Sequence, residues 1–469
     1  MSEGGLEQAR RKMSEAGVHP RAIEVFARHY EDLESGATGI IAEDDVEPVA
    51  DLPRLDEVDV DETAATEALA VTAVVKLNGG LGTSMGMDRA KSLLPVRGEA
   101  TFLDVVARQV LASRRAHGVR LPLLLMNSFR TRDDTLAALE EHPELAVDGL
   151  PADFLQNREP KLRADDLTPV EWPADPDLEW CPPGHGDLYT ALEASGVLRR
   201  LLDAGFRYAS VSNSDNLGAS PSPVVAGWFA GSGAPYAAEV CRRTPADRKG
   251  GHLVRRHADG RLVLRETAQT QPADAEVAAD IDRHPYFHTN NLWFDLRALA
   301  DTLADRDGVL GLPLIRNEKT VDPSDSQTPA VVQIESAMGA AVEVFDAAIA
   351  IEVDRSRFLP VKTTNDLLVM RSDAYDLSDD GLLSRRGDGV PRVDLDKQHY
   401  ALLRDCDARF PAGPPSLVGA RSLTVHGDWT FGRDVVVIGD AVVGDAVTGH
   451  DGDSGGEVPN GARLGSAPD

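Results

Sequence analysis

From about residue 71 onward, the chain alternates between uninterrupted apolar runs and stretches whose apolar residues recur at helical spacing. Residues 71–77 carry a β-branched apolar run, and residues 121–126 (LPLLLM) are apolar throughout. Runs of this kind are typical of strands in a sheet that is covered on both faces. Further strands are predicted at 208–212 and 292–294. Strands that alternate with helices predict an α/β fold.

Helices are predicted where apolar residues recur every three or four positions. One begins at Thr101, which forms a T-x-x-D capping box with Asp104. The other predicted helices span residues 187–204, 332–349 and 364–370.

The two ends of the chain depart from this pattern. The N-terminal end has one or two polar helical stretches, followed by an acidic segment interrupted by prolines. Near the C-terminus, Val425, Phe431, Val437 and Val443 recur every six residues, which is the spacing of β-helix rungs, although a small sheet with regular turns would give the same spacing. We therefore expect an N-terminal helical extension and linker (1–65), a central domain (66–385) and a C-terminal β-helix-like domain with a loose tail (386–469).

Composition and charge narrow the function. The 469 residues are enough for two or three domains, and the formal net charge of −29 argues against a nucleic-acid partner, which would require a basic face. Cys181, Cys241 and Cys406 are too widely spaced for a zinc site or a disulfide framework. The N-terminus is charged throughout, and no apolar run reaches the roughly 20 residues of a membrane span. We expect a cytoplasmic protein without membrane partners.

Glycines cluster directly after the first predicted strand, in the sequence NGGLGTSMG at 78–86. Lys76 and Lys91 flank this cluster. Glycine lets backbone N–H groups approach an anion closely, so a nucleotide phosphate is the expected ligand. The spacing matches neither the P-loop nor the dinucleotide-binding pattern. From composition alone, a tight turn without a ligand explains the cluster equally well.

Two further segments combine backbone geometry with polar side chains. In PPGHGDLY (182–189), Gly184 and His185 precede a predicted helix that Asp187 would cap, and helix N-termini favour anions. In SNSDNLG (212–218), Asp215 follows a predicted strand, where a carboxylate is well placed to hold Mg²⁺. The alternatives are a turn with a solvated histidine and an ordinary Asp-Asn turn.

Together with RSRFLPVKTTNDLL (355–368), HTNNLW (288–293) and QIESAMGAA (333–341), these segments resemble the UTP–glucose-1-phosphate uridylyltransferase family over about residues 71–372. The resemblance implies a Rossmann-like nucleotidyltransferase core, with a mixed sheet flanked by helices, in the central domain. It implies that UTP and glucose 1-phosphate are converted to UDP-glucose and pyrophosphate with Mg²⁺ as cofactor. The attacking phosphate oxygen is already ionised at pH 7, so no general base is expected, and catalysis would rest on alignment and charge neutralisation.

The resemblance also implies the roles of individual residues. The implied catalytic residues are Lys91 and Lys362, and the implied metal ligand is Asp215. The implied nucleotide-binding residues are Leu77, Asn78, Gly79, Gly80, Lys91, Gln156, Gly184 and Asp215. The implied sugar-phosphate-binding residues are Gly80, His185, Asn213, Asn291, Glu335 and Lys362.

The chain departs from the family pattern in three places. Ala90 replaces the proline before Lys91, and Ser214 replaces an apolar residue. The C-terminus lacks the last strand-like segment of the family, so we expect a monomer or small homo-oligomer. Other sugar specificities remain as alternatives, either for N-acetylhexosamine 1-phosphates or for a broad range of sugar 1-phosphates. A non-catalytic nucleotide-sugar sensor is the alternative of a different class.

Overall fold

The computed structural model describes residues 3–244, 247–248, 250–387, 389–444 and 455–466. Within these ranges, every helix is either too short or too polar to cross a lipid bilayer. The helices are α1 (Glu3–Glu15), α2 (Pro20–Glu34), α3 (Glu62–Ala70), α4 (Phe102–His117), α5 (Arg132–Leu139), α6 (Asp187–Ala194), α7 (Val197–Asp203), α8 (Pro223–Ser232), α9 (Ala275–Ala278), α10 (Leu296–Asp305), α11 (Thr364–Arg371), α12 (Lys397–Tyr400) and α13 (Leu403–Arg409).

The strands up to residue 256 are β1 (Val46–Pro48), β2 (Thr72–Asn78), β3 (Pro95–Arg97), β4 (Ala100–Thr101), β5 (Leu123–Asn127), β6 (Asp153–Leu155), β7 (Glu159–Pro160), β8 (Leu162–Arg163), β9 (Trp180–Cys181), β10 (Tyr208–Asn213), β11 (Tyr236–Arg242) and β12 (His252–Arg256). The later strands are β13 (Leu262–Arg265), β14 (Tyr286–Asp295), β15 (Ile315–Thr320), β16 (Ala330–Glu335), β17 (Ile349–Glu352), β18 (Tyr375–Leu377), β19 (Leu383–Arg385), β20 (Arg392–Leu395), β21 (Ser416–Val425), β22 (Asp428–Phe431), β23 (Val436–Val443), β24 (Gly455–Val458) and β25 (Arg463–Ser466).

A mixed ten-stranded sheet forms the centre of the molecule. Its main strand order is β1-β12-β14-β10-β2-β5-β6, with β11, β13 and β17 attached beside this path. All seven residues of β2 are buried. Val74 packs into one hydrophobic core with Phe102 of α4, while its neighbour Val75 packs into a second core with Leu188 of α6. Successive side chains of a strand point to opposite faces, so both faces of the sheet are covered, and the predicted fold class is confirmed.

The carboxyl ends of three strands meet at one edge of this sheet. Strand β2 runs parallel to both β10 and β5. The glycine cluster follows β2, and the loop with Asp215 follows β10. Ligands of open α/β sheets bind at the carboxyl ends of parallel strands.

Two helix predictions need correction. The helix predicted at 187–204 is interrupted at Gly196, which has a φ of +73° and separates α6 from α7. The helix predicted at 332–349 is wrong: β16 is followed by a 3-10 turn (Met338–Glu343) and then by β17. The β-branched run that includes Val331 and Val332 favours a strand. The capping box of Thr101 and Asp104 is confirmed at α4.

The N-terminal residues pack closely against the rest of the chain. Ala9 of α1 and Phe26 of α2 share a hydrophobic cluster with Leu162 of β8 and Val332 of β16. Strand β1 pairs with β12 and so extends the central sheet. The predicted linker therefore contributes a strand to the sheet, while the domain boundary at residue 65 stays a prediction.

The C-terminal residues form parallel strands in two sheets, β20-β21-β23-β25 and β22-β24. From β21 to β25 the chain alternates between these sheets. The four residues of the six-residue repeat are all buried in β21, β22 and β23. The predicted loose tail is wrong for residues 455–458 and 463–466, which form β24 and β25, while 450–454 and 467–469 lie outside the described residues.

Candidate active site

The glycine loop after β2 is held by its own backbone. Gly82 and Gly86 have φ values of +65° and +73°, in the left-handed region that glycine tolerates best. The Lys91 N–H donates to the Gly80 carbonyl at 3.0 Å and closes the loop. A Cβ at Gly80 would meet no heavy atom within 4 Å, so the space next to Gly80 is open.

The loop brings Lys91 to Asp215. The Lys91 Nζ donates to Asp215 Oδ2 at 2.6 Å, and the two side chains are 15% and 16% exposed. The predicted phosphate-binding lysine and the predicted metal ligand are therefore direct partners. Ala90, just before Lys91, has a φ of −53°, which proline could also adopt. The backbone at position 90 is thus compatible with the proline that the family carries there.

Asp215 is a carboxylate that could hold a divalent cation at this edge of the sheet. In the described part of the chain, no three His, Cys, Asp or Glu side chains form a metal-binding group. A carboxylate oxygen is a ligand that Mg²⁺ prefers, and Mg²⁺ commonly completes its coordination with substrate phosphates and water. The single carboxylate of Asp215 therefore fits a cation that arrives with the substrate.

Gln156 connects the glycine loop to the loop before α6. Its Nε2 donates to the Gly184 carbonyl at 2.9 Å, and a Cβ on Gly79 would lie 2.8 Å from its Oε1. Gly184 has a φ of +78°, and a Cβ there would lie 2.5 Å from the Ser336 carbonyl oxygen. Gly79, Gln156 and Gly184, all predicted to bind the nucleotide, therefore line one surface.

Leu77 and Asn78 are buried in β2 and lead into that surface. The Asn78 Nδ2 donates to Asn127 Oδ1 at 2.8 Å and to Thr135 Oγ1 at 2.9 Å. Both side-chain donors of Asn78 are thus used inside the protein, while its Oδ1 is buried without a hydrogen-bond partner.

His185 lies beside the end of β16. Its Nδ1 accepts a hydrogen bond from the Met338 N–H at 2.9 Å. The surrounding protein atoms exclude most water from the imidazole and lower the pKa of His185 to about 4. The ring is therefore neutral at pH 7, with its proton on Nε2. Glu335, at the end of the same strand, lies 3.8 Å from the Lys319 ammonium.

Asp187 is not the cap that the sequence predicted. Gly186 holds the N-cap position and Asp187 is the first helical residue. The Asp187 carboxylate accepts hydrogen bonds from the backbone and side chain of Asn157 at 2.6 and 2.9 Å. It therefore supports the chain next to Gln156.

Lys362 lies on the segment before α11, and its backbone contacts the glycine loop. Its carbonyl accepts a 3.4 Å hydrogen bond from Ser84 Oγ of the glycine loop. Burial raises the pKa of Glu266, and the nearby Lys362 charge acts in the opposite direction. Among the described residues, Lys362 forms no ion pair with Asp215, so the structure does not join the two predicted catalytic lysines through this carboxylate.

Asn213 and Asn291, both predicted to bind the sugar phosphate, differ in exposure. Asn213 ends β10 and is partly exposed. Asn291 is 2% exposed, and its Nδ2 donates to the Arg357 carbonyl at 3.0 Å and to Glu239 Oε2 at 3.3 Å. Both donors of Asn291 are thus used within the protein.

Lys76, whose role was not predicted from the sequence, lies beneath this site. Its Nζ donates to Ser212 Oγ at 2.7 Å and to the Ala219 carbonyl at 2.9 Å, and so joins the two ends of the loop that carries Asp215. Burial lowers the pKa of Lys76 to about 7, and the Arg357 charge acts in the same direction. The signal in the sequence is a lysine within a buried apolar run, where an ionisable residue is costly.

Comparison with known proteins finds similarity over most of the chain. A family model described as UTP–glucose-1-phosphate uridylyltransferase matches residues 23–438. The UTP–glucose-1-phosphate uridylyltransferase of Solanum tuberosum is 37% identical over 402 residues, covering 85% of this chain and 82% of that protein. The Saccharomyces cerevisiae protein of the same name is 38% identical over 400 residues, covering 84% of this chain and 77% of the yeast protein.

Solved structures are similar over nearly the whole chain. A point mutant of the Leishmania major UDP-glucose pyrophosphorylase, in complex with UDP-glucose, is 40% identical with a TM-score of 0.91, covering 99% of this chain and 98% of that chain. The Trypanosoma brucei UDP-glucose phosphorylase is 40% identical with a TM-score of 0.90, covering 98% of both chains.

Proposed function

The chain belongs to the UTP–glucose-1-phosphate uridylyltransferase family, and we propose that Lys91, Lys362 and Asp215 carry its reaction. The enzyme transfers the uridylyl group of UTP to glucose 1-phosphate and yields UDP-glucose and pyrophosphate. The observation that carries the assignment is the 2.6 Å Lys91–Asp215 contact beside the open glycine loop.

The reaction needs alignment and positive charge, and it needs no general base. An oxygen of glucose 1-phosphate attacks the α-phosphorus of UTP. The bond from that phosphorus to the bridging oxygen breaks, and pyrophosphate leaves with this oxygen. Since the attacking oxygen is already ionised at pH 7, no proton has to be removed. The protein then contributes by holding the reactants in line and by neutralising the phosphates.

Lys91 and Asp215 pair with each other in the free site. When substrate binds, this ion pair breaks and each side chain takes a new partner. Members of the family generally need a divalent metal, and we propose that in this chain it is Mg²⁺. Asp215 would hold this ion together with the substrate phosphates, and the ion would supply positive charge at the α-phosphate. The Lys91 ammonium, released from Asp215, then donates to a phosphate oxygen.

The nucleotide lies along the surface that joins the glycine loop to the loop before α6. The backbone from Leu77 to Gly80 faces the ribose and phosphates. Gln156 and Gly184 face the uracil, since Gln156 lies where Gly79 has no side chain and donates a hydrogen bond to the Gly184 carbonyl. The residues in this role are Leu77, Asn78, Gly79, Gly80, Lys91, Gln156, Gly184 and Asp215.

The sugar phosphate lies between this surface and the segment that carries Lys362. Neutral His185 offers its Nε2–H as a hydrogen-bond donor, while Lys362 offers a full positive charge. The other residues in this role are Gly80, Asn213, Asn291 and Glu335. The Asn291 side chain takes part only if a ligand replaces one of its internal partners.

The proposal also covers the domain bounds, the oligomeric state and the cell compartment. The three parts of the chain are 1–65, 66–385 and 386–469, with the chemistry in the second. The protein acts as a monomer or small homo-oligomer in the cytoplasm. Buried, unpaired Cys181, Cys241 and Cys406 support a reducing compartment.

The test is pyrophosphate release by the purified chain from UTP and glucose 1-phosphate in the presence of Mg²⁺. The same assay with galactose 1-phosphate and N-acetylglucosamine 1-phosphate measures sugar specificity. We expect turnover with glucose 1-phosphate and at least about tenfold lower kcat/KM with the other two sugars. Binding of UDP-glucose without turnover would instead favour the sensor.

A further inference from the structure

The Asn216 side chain, next to Asp215, uses hydrogen bonds to join three separate segments. Asn216 is 1% exposed. Its Nδ2 donates to Asn291 Oδ1 at 3.0 Å and to the Arg357 carbonyl at 3.1 Å. Its Oδ1 accepts from the Leu359 N–H at 2.8 Å and from the Gly218 N–H at 3.2 Å. Both amide donors and both lone pairs of the carboxamide are thus used.

Each of these segments carries a residue of the proposed site. The loop after β10 carries Asp215, β14 carries Asn291, and the segment from 355 to 362 ends at Lys362. A backbone β-bridge pairs Asn216 with Pro360, two residues before Lys362. Asn216 is therefore the point where the metal ligand, a sugar contact and the second lysine are fixed relative to one another.

The 355–362 segment packs tightly against the loop that carries Asn216. A Cβ on Gly218 would lie 2.2 Å from the Ser356 carbonyl oxygen. The Arg357 guanidinium makes two hydrogen bonds to the buried Glu239 carboxylate, at 2.6 and 2.8 Å. The segment is thus anchored on one side by an ion pair and on the other by the Asn216 carboxamide.

We propose that Asn216 is a positioning residue that sets the place of Lys362 relative to Asp215. The inference rests on the proposed function, because it assigns Asn216 an effect on the reaction through Lys362. Asn216 does not itself touch substrate. When its four hydrogen bonds are lost, Lys362 is no longer held in line with the phosphates, and displacements of about 1 Å at a reacting centre cost on the order of 10²-fold in rate.

The proposal predicts a split between kcat and KM. In Asn216→Ala, kcat should fall by about 30- to 100-fold, while the KM for UTP should change by less than about threefold. The KM for UTP changes little because Gln156 and Gly184 do not contact Asn216. In Asn216→Asp, Oδ1 still accepts from Leu359 and Gly218, whereas both donors are lost, so an intermediate loss of kcat is expected.

A double-mutant cycle with Lys362→Met separates positioning from general stability. If Asn216 acts through Lys362, adding Asn216→Ala to Lys362→Met should lower kcat by less than about threefold further. Gln109→Leu is the matched control, since Gln109 is 2% exposed and donates to the carbonyls of Leu217 and Gly381. This control should lower the melting temperature and leave kcat within about threefold of wild type.

Each outcome decides the question. Wild-type kcat in both Asn216 variants, or the same loss of kcat with and without Lys362, overturns the positioning role. Failure of both variants to fold assigns Asn216 a structural role and overturns it as well. An inactive wild-type protein rejects the proposed function instead, because the cycle is measured only against wild-type turnover.

Discussion

Replacing Lys91 by methionine tests the central contact of the site, because it removes the charge and keeps much of the apolar stem. The Lys91 Nζ and Asp215 Oδ2 are 2.6 Å apart. At an effective dielectric constant of 20, such charges attract by about 6 kcal/mol before desolvation is counted. Since the pair is only partly covered, we expect its loss to lower the free energy of unfolding by about 1–2 kcal/mol.

The effect on activity should be larger than the effect on stability. Loss of one cation contact in a phosphoryl-type transition state lowers kcat by about 10²–10³-fold, or about 2.7–4 kcal/mol. A free energy of unfolding of about 5–15 kcal/mol keeps the variant folded. Pyrophosphate release and urea denaturation, measured on the same sample, separate the two effects.

Lys12→Met is the matched control for this experiment. Lys12 pairs with Glu179, and the two side chains are 20% and 16% exposed, close to the 15% and 16% of the Lys91 pair. It should lose similar stability and keep wild-type kcat. The reasoning is refuted if Lys91→Met keeps kcat within about threefold of wild type, or if both variants lose activity equally.

Three further outcomes concern residues around the contact. With a pKa of about 4, His185 should contribute no inflection to the kcat profile between about pH 5.5 and 8, and an inflection near 6.5 that His185→Gln abolishes would contradict this. Lys76 has a pKa of about 7 when folded against an ordinary value of 10.5, so between these values the unfolded chain binds more protons and stability increases with pH. Urea denaturation at about pH 7 and pH 9 should therefore show about 2 kcal/mol more pH-dependent stabilisation in wild type than in Lys76→Met, and equal changes would refute the assignment. Gly184→Ala should raise the KM for UTP at least about tenfold, because its Cβ would lie 2.5 Å from the Ser336 carbonyl oxygen; Gly205→Ala, with a φ of +88° and open space, is the control, and equal KM values would contradict the steric argument.

Local chemistry explains why much of the fold was predictable. Val74 and Val75 are β-branched and lie in an apolar run, and they form a strand buried on both faces. The segment at 332–349 resembles a helix in sequence because buried residues are spread over a strand, a 3-10 turn and a second strand. Some of these residues therefore fall at the three- and four-residue spacing of a helix. Met338 and Ala340, for example, are as buried as Val332, so their spacing mimics a helix.

The site was predictable residue by residue, but its contacts were not. Lys91 and Asp215 each stand in a recognisable segment, yet 124 positions separate them and only the parallel pairing of β2 with β10 brings them together. Asn216 directly follows Asp215 in the same segment. Its partners Asn291 and Leu359 are 75 and 143 positions away, and the residues around Asn216 in the sequence do not predict these contacts.

The buried ion pair of Glu239 and Arg357 has no explanation in stability alone. Glu239 is 1% exposed; its burial acts to raise its pKa, but Arg357 and the hydrogen bonds overcome this, so the carboxylate stays charged. Replacing such a pair by apolar residues of similar size is often neutral or stabilising by about 1–4 kcal/mol. We therefore expect the double variant Glu239→Met/Arg357→Met to unfold at the same or higher urea concentration.

The activity of that variant should nevertheless fall. Arg357 fixes the segment that leads to Lys362, and Glu239 also accepts hydrogen bonds from Asn291 at 3.3 Å and from Trp293 Nε1 at 2.9 Å. Without the pair, this segment relaxes, and we expect kcat to drop by about tenfold or more while the protein stays folded. Urea midpoints and kcat, measured together, check both halves. If stability falls with activity, the pair holds the fold; if stability is kept and activity falls, the buried charges are present because the position of Lys362 requires them.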